Sequence, residues 1–104
     1  MFKAGDVVLA FVPFVDSLQI KRRPAVVLFE EMGNVVVAGI TSNAAMKGIP
    51  FLKSDGAAVD SIIKPNYLFT IPESQIQKRL MGLSPEKRKQ VFDALSKRLS
   101  ALLN

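Results

Sequence analysis

The chain has 104 residues, 49% of them hydrophobic, with 14 Lys plus Arg against 9 Asp plus Glu for a formal charge of +5; that length holds one domain, residues 1–104. Without Cys or His it has no disulfide framework, no thiol nucleophile, and neither the commonest general base nor the commonest metal ligand, so no metal and no cofactor is expected. The longest apolar run, 7–15, is broken by Pro13 and is about half the roughly 18 residues of a membrane span, so no membrane partner is expected. Short runs rich in Val, Ile and Phe at 7–14, 24–29 and 35–40 predict buried strands. Pro24 is expected only to begin its strand, and Gly33-Asn34 supplies the positive φ of a tight hairpin turn between the second and third strands. Pro50-Phe51 positions a later strand, and a helical turn is expected over 73–80.

From Ser84 the period changes. Ser84 suits an N-cap and Pro85 the first helical position, and Val91, Leu95, Leu99 and Leu102 recur at three and four residues, predicting a C-terminal amphipathic helix. Phe92 and Leu103 widen its apolar stripe, while Lys87, Arg88, Lys97 and Arg98 fall on solvated faces. The pattern is a strand-rich barrel or meander closed by one terminal helix. Lys3 ahead of the first apolar run resembles the start of a secretory signal, but Asp6 stands where the apolar segment would begin and no small-residue cleavage site follows Val15, so the run reads as a mature strand of a cytoplasmic protein.

Charge is unevenly placed. Residues 1–60 hold six basic and six acidic side chains and residues 61–104 hold eight and three, so the whole of the +5 lies in the last 44 residues. That suits an anionic partner, and equally a solvated basic helix face. A hairpin turn centred between Met32 and Gly33 pairs residues whose numbers sum to about 65, which sets Arg23 opposite Ser42 and Pro24 opposite Thr41. A guanidinium near one or two hydroxyls suits a phosphate oxyanion. The spacing alone also fits a surface run, Lys21-Arg22-Arg23, and ordinary turn residues, Thr41-Ser42-Asn43.

Gly5-Asp6-Val7-Val8, Arg23-Pro24-Ala25-Val26-Val27, Ile40-Thr41-Ser42, Phe69-Thr70-Ile71 and Lys78-Arg79-Leu80 follow one another in the order found in MazF/PemK-like toxins, and from Gly5 to the final helix the chain resembles that family. The resemblance implies a small half-open antiparallel β-barrel, Src-homology-3-like and of the CcdB/PemK type, closed by a C-terminal helix. It also implies a homodimer whose interface forms a groove for single-stranded RNA, a cognate antitoxin as partner, and metal-independent RNA cleavage through the ribose 2′-hydroxyl. Carried onto this sequence, Arg23 and Thr41 become the catalytic residues, with Ser42 an auxiliary donor. Lys21, Arg22, Lys64, Asn66 and Tyr67 become RNA contacts.

Two positions depart from the family pattern. Lys64 and Asn66 stand where some members have Arg and Asp; an amide cannot take a proton as a carboxylate does, although it can bond a base or ribose. In the loop 15–22, where relatives place acidic or His side chains, only Asp16 is acidic; it is a candidate auxiliary catalytic carboxylate, and equally an ordinary solvated loop residue. Tyr67 and Phe69 offer rings for base stacking, Phe69 being the one expected in the core. Two other functions fit the same barrel: a gyrase poison of the CcdB type, against which the ending Leu102-Leu103-Asn104 argues because that group ends Trp-Gly-Ile, and an RNA-binding module that has lost catalysis.

Overall fold

The computed structural model describes residues 1–13 and 20–104. Six strands run in chain order, β1 Asp6–Pro13, β2 Ile20–Glu31, β3 Asn34–Thr41, β4 Ile49–Phe51, β5 Ser61–Pro72 and β6 Ile76–Gly82, before helix α1 Pro85–Leu99. They form a single antiparallel sheet in the order β4-β5-β3-β2-β1-β6, curled into a half-barrel. The apolar runs are continuous because both faces of the central strands are covered. On one face Val8, Ala10, Val12, Ala25, Val27, Val35 and Val37 pack with Tyr67, Ile71 and Ile76. On the other Val7, Val26, Ala38, Ile40 and Ile63 meet Ile49 and Phe51 of β4 and Leu83 and Val91 at the helix.

The ends of these elements follow local chemistry. Gly5, at φ 91°, makes the turn into β1 and lies so close under Arg88 of α1 that a Cβ there would come within 2.4 Å of the Arg88 side chain. Asp6 closes the turn by accepting from the Lys3 N–H at 3.0 Å and from Arg79 Nε at 2.9 Å. Ser84 caps α1, its hydroxyl accepting from the Lys87 N–H at 3.1 Å, with Pro85 in the first turn. Lys87 then donates to the Pro50 carbonyl at 2.8 Å, tying the start of the helix to β4. Among the described residues no helix is long and apolar enough to cross a membrane.

The structure corrects several expectations. Residues 73–80 are not a helical turn: a 3-10 turn covers Glu73–Gln75 and β6 follows, held by its pairing with β1. Helix-favouring Gln, Lys, Arg and Leu side chains give way there to tertiary pairing. Pro24 lies inside β2, which starts at Ile20; it sits level with Leu9, and the ladder to β3 reaches only Ala25, so its missing N–H costs that ladder nothing. The positive φ values of the hairpin fall on Met32, 51°, and Gly33, 81°, while Asn34 already belongs to β3. The apolar stripe of α1 is only partly used: Val91 is buried and Leu95 half-buried, but Phe92, Leu99 and Leu102 stand 67%, 60% and 81% exposed.

Candidate active site

The β2–β3 ladder ends two residues short of the two principal candidates. Near the turn the pairs are Glu31↔Asn34, Glu30↔Val35 and Phe29↔Val36, a sum of 65, but a bulge at Leu28 shifts the rest to 64: Val27↔Val37, Val26↔Ala38, Ala25↔Gly39. One extra residue in a strand exchanges partners in this way. The ladder ends at Ala25↔Gly39, so Arg23 and Thr41 each lie two residues beyond the last pair, Arg23 held to Ala10 of β1 and Thr41 to Ile62 of β5. Strand alternation then puts Arg23 on the side of Ala25 and Val27, and Thr41 on the side of Val35 and Val37, so both side chains leave the sheet on one face, at the end of its first core cluster.

Arg23 is half-buried, with Lys21 and Arg22 exposed beside it. Arg22 donates to Gln77 of β6 at 3.0 Å, which ties the start of β2 to the sheet edge. Thr41 is 6% exposed, and its Oγ1 accepts from the Asn43 N–H at 3.1 Å. That bond occupies one lone pair and holds the oxygen in place, and the hydroxyl hydrogen remains available as a donor. The turn continues tightly: the Asn43 Oδ1 accepts from the Ala45 N–H at 3.0 Å and the Asn43 carbonyl from the Met46 N–H at 3.1 Å. Ser42, beyond the strand end, is exposed.

Facing this turn, β5 is irregular. The pair Ala38↔Leu68 is followed by Ile40↔Ile63, so four β5 residues, Lys64 to Tyr67, lie against Gly39 alone. Bulges of this kind re-aim side chains. Lys64 is aimed back at the turn, its ammonium donating to the Lys47 carbonyl and standing 5.3 Å from the centroid of the Tyr67 ring. Asn66 is exposed, and Tyr67 is only 7% exposed, with its hydroxyl 3.6 Å from Met46 Sδ. Both rings belong to the core: Tyr67 lies within it and Phe69 packs half-buried against its margin.

Asp16 lies outside the described residues. Among the described residues no group of three or more acidic side chains is placed to hold a metal ion. Sequence reasoning missed the contribution of Lys47, whose part is played by a backbone carbonyl and so has no side-chain signal. It also missed Met46, whose sulfur matters only once β5 is folded against the turn.

The sequence profile of a family described as PemK-like, MazF-like toxin of type II toxin–antitoxin systems matches residues 3–99. The fold is similar to the Mycobacterium tuberculosis toxin MazF-mt6, with TM-score 0.73, 21% identity and coverage of 91% of this chain and 96% of that one. It is similar also to an endoribonuclease solved with its cognate antitoxin from a mycobacterial species, with TM-score 0.73, 14% identity and coverage of 95% and 93%. A third similar structure is the MazE-MazF complex of Deinococcus radiodurans, with TM-score 0.72, 21% identity and coverage of 95% and 96%. A search of curated proteins gave no match. Because the profile spans nearly the whole described fold, from the Gly5 turn to the end of α1, the chain belongs to the PemK-like, MazF-like toxins of type II toxin–antitoxin systems.

Proposed function

We propose that the protein is the toxin of such a pair and an endoribonuclease that cleaves single-stranded RNA without a metal. The observation that supports this reading is that Arg23 and Thr41 fall by strand alternation on the same sheet face, each two residues past the last β2–β3 pair, Ala25↔Gly39, with exposed Lys21 and Arg22 alongside. In the reaction the ribose 2′-oxygen attacks the adjacent phosphorus and loses its proton. The bond to the 5′-oxygen breaks, and that oxygen takes up a proton from solvent in balance with the one the 2′-hydroxyl gives up, leaving a cyclic phosphate and a 5′-hydroxyl end. Arg23 binds the non-bridging oxygens and stabilises the dianionic phosphorane; its fork of permanently charged donors matches that geometry. Thr41 donates its hydroxyl hydrogen to the same oxygens, with Ser42 and Asp16 as auxiliary catalytic residues. Lys21, Arg22 and Asn66 hold the flanking RNA.

A second copy of the chain is the partner for the apolar face that α1 leaves open. A cavity of about 530 Å³ between α1 and the sheet is lined by Leu28, Phe29, Leu68, Phe92, Leu95 and Leu99. Exposed apolar area of that continuity marks a protein interface. The antitoxin is the other protein partner, and a tail with acidic side chains complements the basic rim of the RNA site.

The test is digestion of a mixed-sequence single-stranded RNA by the purified protein in excess EDTA, with the 5′ ends mapped. Wild type is expected to cleave and leave 5′-hydroxyl ends. Arg23→Ala is expected to lose about 10²–10³-fold in rate, as for removal of one transition-state donor. Intact RNA after incubation with folded wild-type dimer overturns the nuclease reading in favour of a binding module, and cleavage surviving in Arg23→Ala removes Arg23 from the site.

A further inference from the structure

Lys64, expected to meet RNA, donates from its ammonium to the Lys47 carbonyl at the surface. It is one of three fastenings between the irregular part of β5 and the turn that follows Thr41. Met46 Sδ faces the buried Tyr67 hydroxyl at 3.6 Å, and the Lys47 carbonyl accepts from Lys64, whose ammonium also lies over the Tyr67 ring. Gly48 passes so close to β5 that a Cβ there would stand 2.4 Å from the Ile63 carbonyl oxygen. The same turn is joined to Thr41 at its other end, since the Asn43 N–H that donates to the Thr41 oxygen belongs to the residue whose carbonyl accepts from the Met46 N–H. A short chain of bonds therefore runs from Lys64 and Tyr67, through Met46 and Lys47, to the Thr41 oxygen.

We infer that the β5 bulge is a clasp that holds the Thr41 turn in place, with Lys64 and Tyr67 acting as positioning residues for the Thr41 hydroxyl rather than as RNA ligands. The inference rests on the nuclease reading for its catalytic consequence, but the clasp itself is a property of the free protein. It gives a reason for the extra β5 residues opposite Gly39: a regular strand has no residues to spare for reaching the turn. It also explains how Lys can stand where some relatives have Arg, because a carbonyl and one aromatic face need a single flexible cation, not a planar fork. A hydroxyl that donates to a phosphorane must be held to within a fraction of an ångström, and an exposed turn without such fastenings does not hold it.

The experiment compares wild type, Lys64→Met, Lys64→Arg and Tyr67→Phe as full chains. In the absence of RNA, amide exchange at Asn43 and Met46 is expected to rise about tenfold in Lys64→Met, less in Tyr67→Phe, and to return toward wild type in Lys64→Arg. On single-stranded RNA, Lys64→Met is expected to lose about tenfold in kcat with KM within about twofold. The dependence of log binding constant on log salt is expected to be unchanged; losing one phosphate contact lowers that slope by about 0.7 for a single strand. Unchanged exchange in both Lys64→Met and Tyr67→Phe overturns the clasp. A reduced salt slope with kcat retained in Lys64→Met overturns the positioning role and makes Lys64 a phosphate ligand. If wild type leaves RNA intact while Lys64→Met loosens the turn, the nuclease reading has failed and the clasp has not. Tyr67→Phe, which keeps the buried ring, supplies the exchange measurement should Lys64→Met not fold.

Discussion

At the scale of single residues, two side chains have opposite tasks. The Thr41 hydroxyl accepts one backbone bond and is left to donate one. Thr41→Val keeps the shape and deletes the oxygen, so it is expected to destabilise by about 1 kcal/mol and to lower the cleavage rate about 10–10²-fold. Thr41→Ser keeps both functions and is expected to retain most activity; melting curves and single-turnover rates separate the two effects. Asp6 serves the fold alone. Burial pushes its carboxyl pKa up, but the Lys3 N–H, the Arg79 hydrogen bond and the positive charges of Arg79 and Lys3 together outweigh that and hold it below its ordinary value. A carboxylate whose folded pKa is depressed contributes stability above its unfolded pKa of about 3.9 and loses it as the pH falls through the folded value. Urea midpoints are therefore expected to fall as the pH drops below about 4. Asp6→Asn, destabilised at neutral pH, is expected to lose that part of the acid dependence.

At the scale of elements, the hairpin carries a visible strain. Met32 is the one described non-glycine residue with positive φ, at 51°, and its side chain is fully exposed. A two-residue turn with positive φ at both positions is the type that joins twisted strands, and its first position favours Asn or Gly over Met. Met32→Asn removes no contact and is expected to stabilise by about 0.5–1 kcal/mol, a rise in Tm of about 2–8 °C for a domain of this size, read by calorimetry. The sequence shows that a turn belongs here but places its positive φ one residue late, because Gly33-Asn34 is the more familiar pair. Boundaries of β1, β3 and α1, by contrast, agree with the apolar runs and the Ser84-Pro85 start to within a residue or two, while β5 corresponds to no expected run. Those signals are local, whereas β6 is a strand only because β1 is there to pair with it.

At the scale of the whole molecule, the arrangement separates the end of the sheet proposed to face RNA from an apolar face. Arg23, Thr41 and the clasp lie at one end of the β2–β3 hairpin, while Phe92 and Leu99 border the open cavity along α1. Because these two side chains are mostly exposed in the single chain, charging them leaves its core intact. Phe92→Asp with Leu99→Asp is expected to yield a folded monomer, with unchanged far-ultraviolet circular dichroism and half the wild-type mass in sedimentation equilibrium. A double variant that remains dimeric would place the interface elsewhere. RNA binding by wild type is expected to weaken steeply with salt, since the formal charge is +5 and the exposed Lys21 and Arg22 flank the site.

The sequence by itself determined the strand runs, the capped terminal helix, the lack of Cys and His chemistry, and the family order of motifs that singled out Arg23 and Thr41. These are recorded in neighbouring residues and short periods, where hydrophobic alternation, proline and capping chemistry act directly. Only the tertiary structure decided the register of the β2–β3 ladder, because a single bulge at Leu28 changes every later partner along it as far as Ala25↔Gly39. It alone buried Tyr67 and turned Lys64 toward a backbone carbonyl, since both follow from extra residues in β5 measured against Gly39 of a different strand. It also left part of the α1 stripe uncovered. Periodicity shows that a helix has an apolar face, but what that face meets depends on the surface the rest of the chain, or a second copy of it, brings to it.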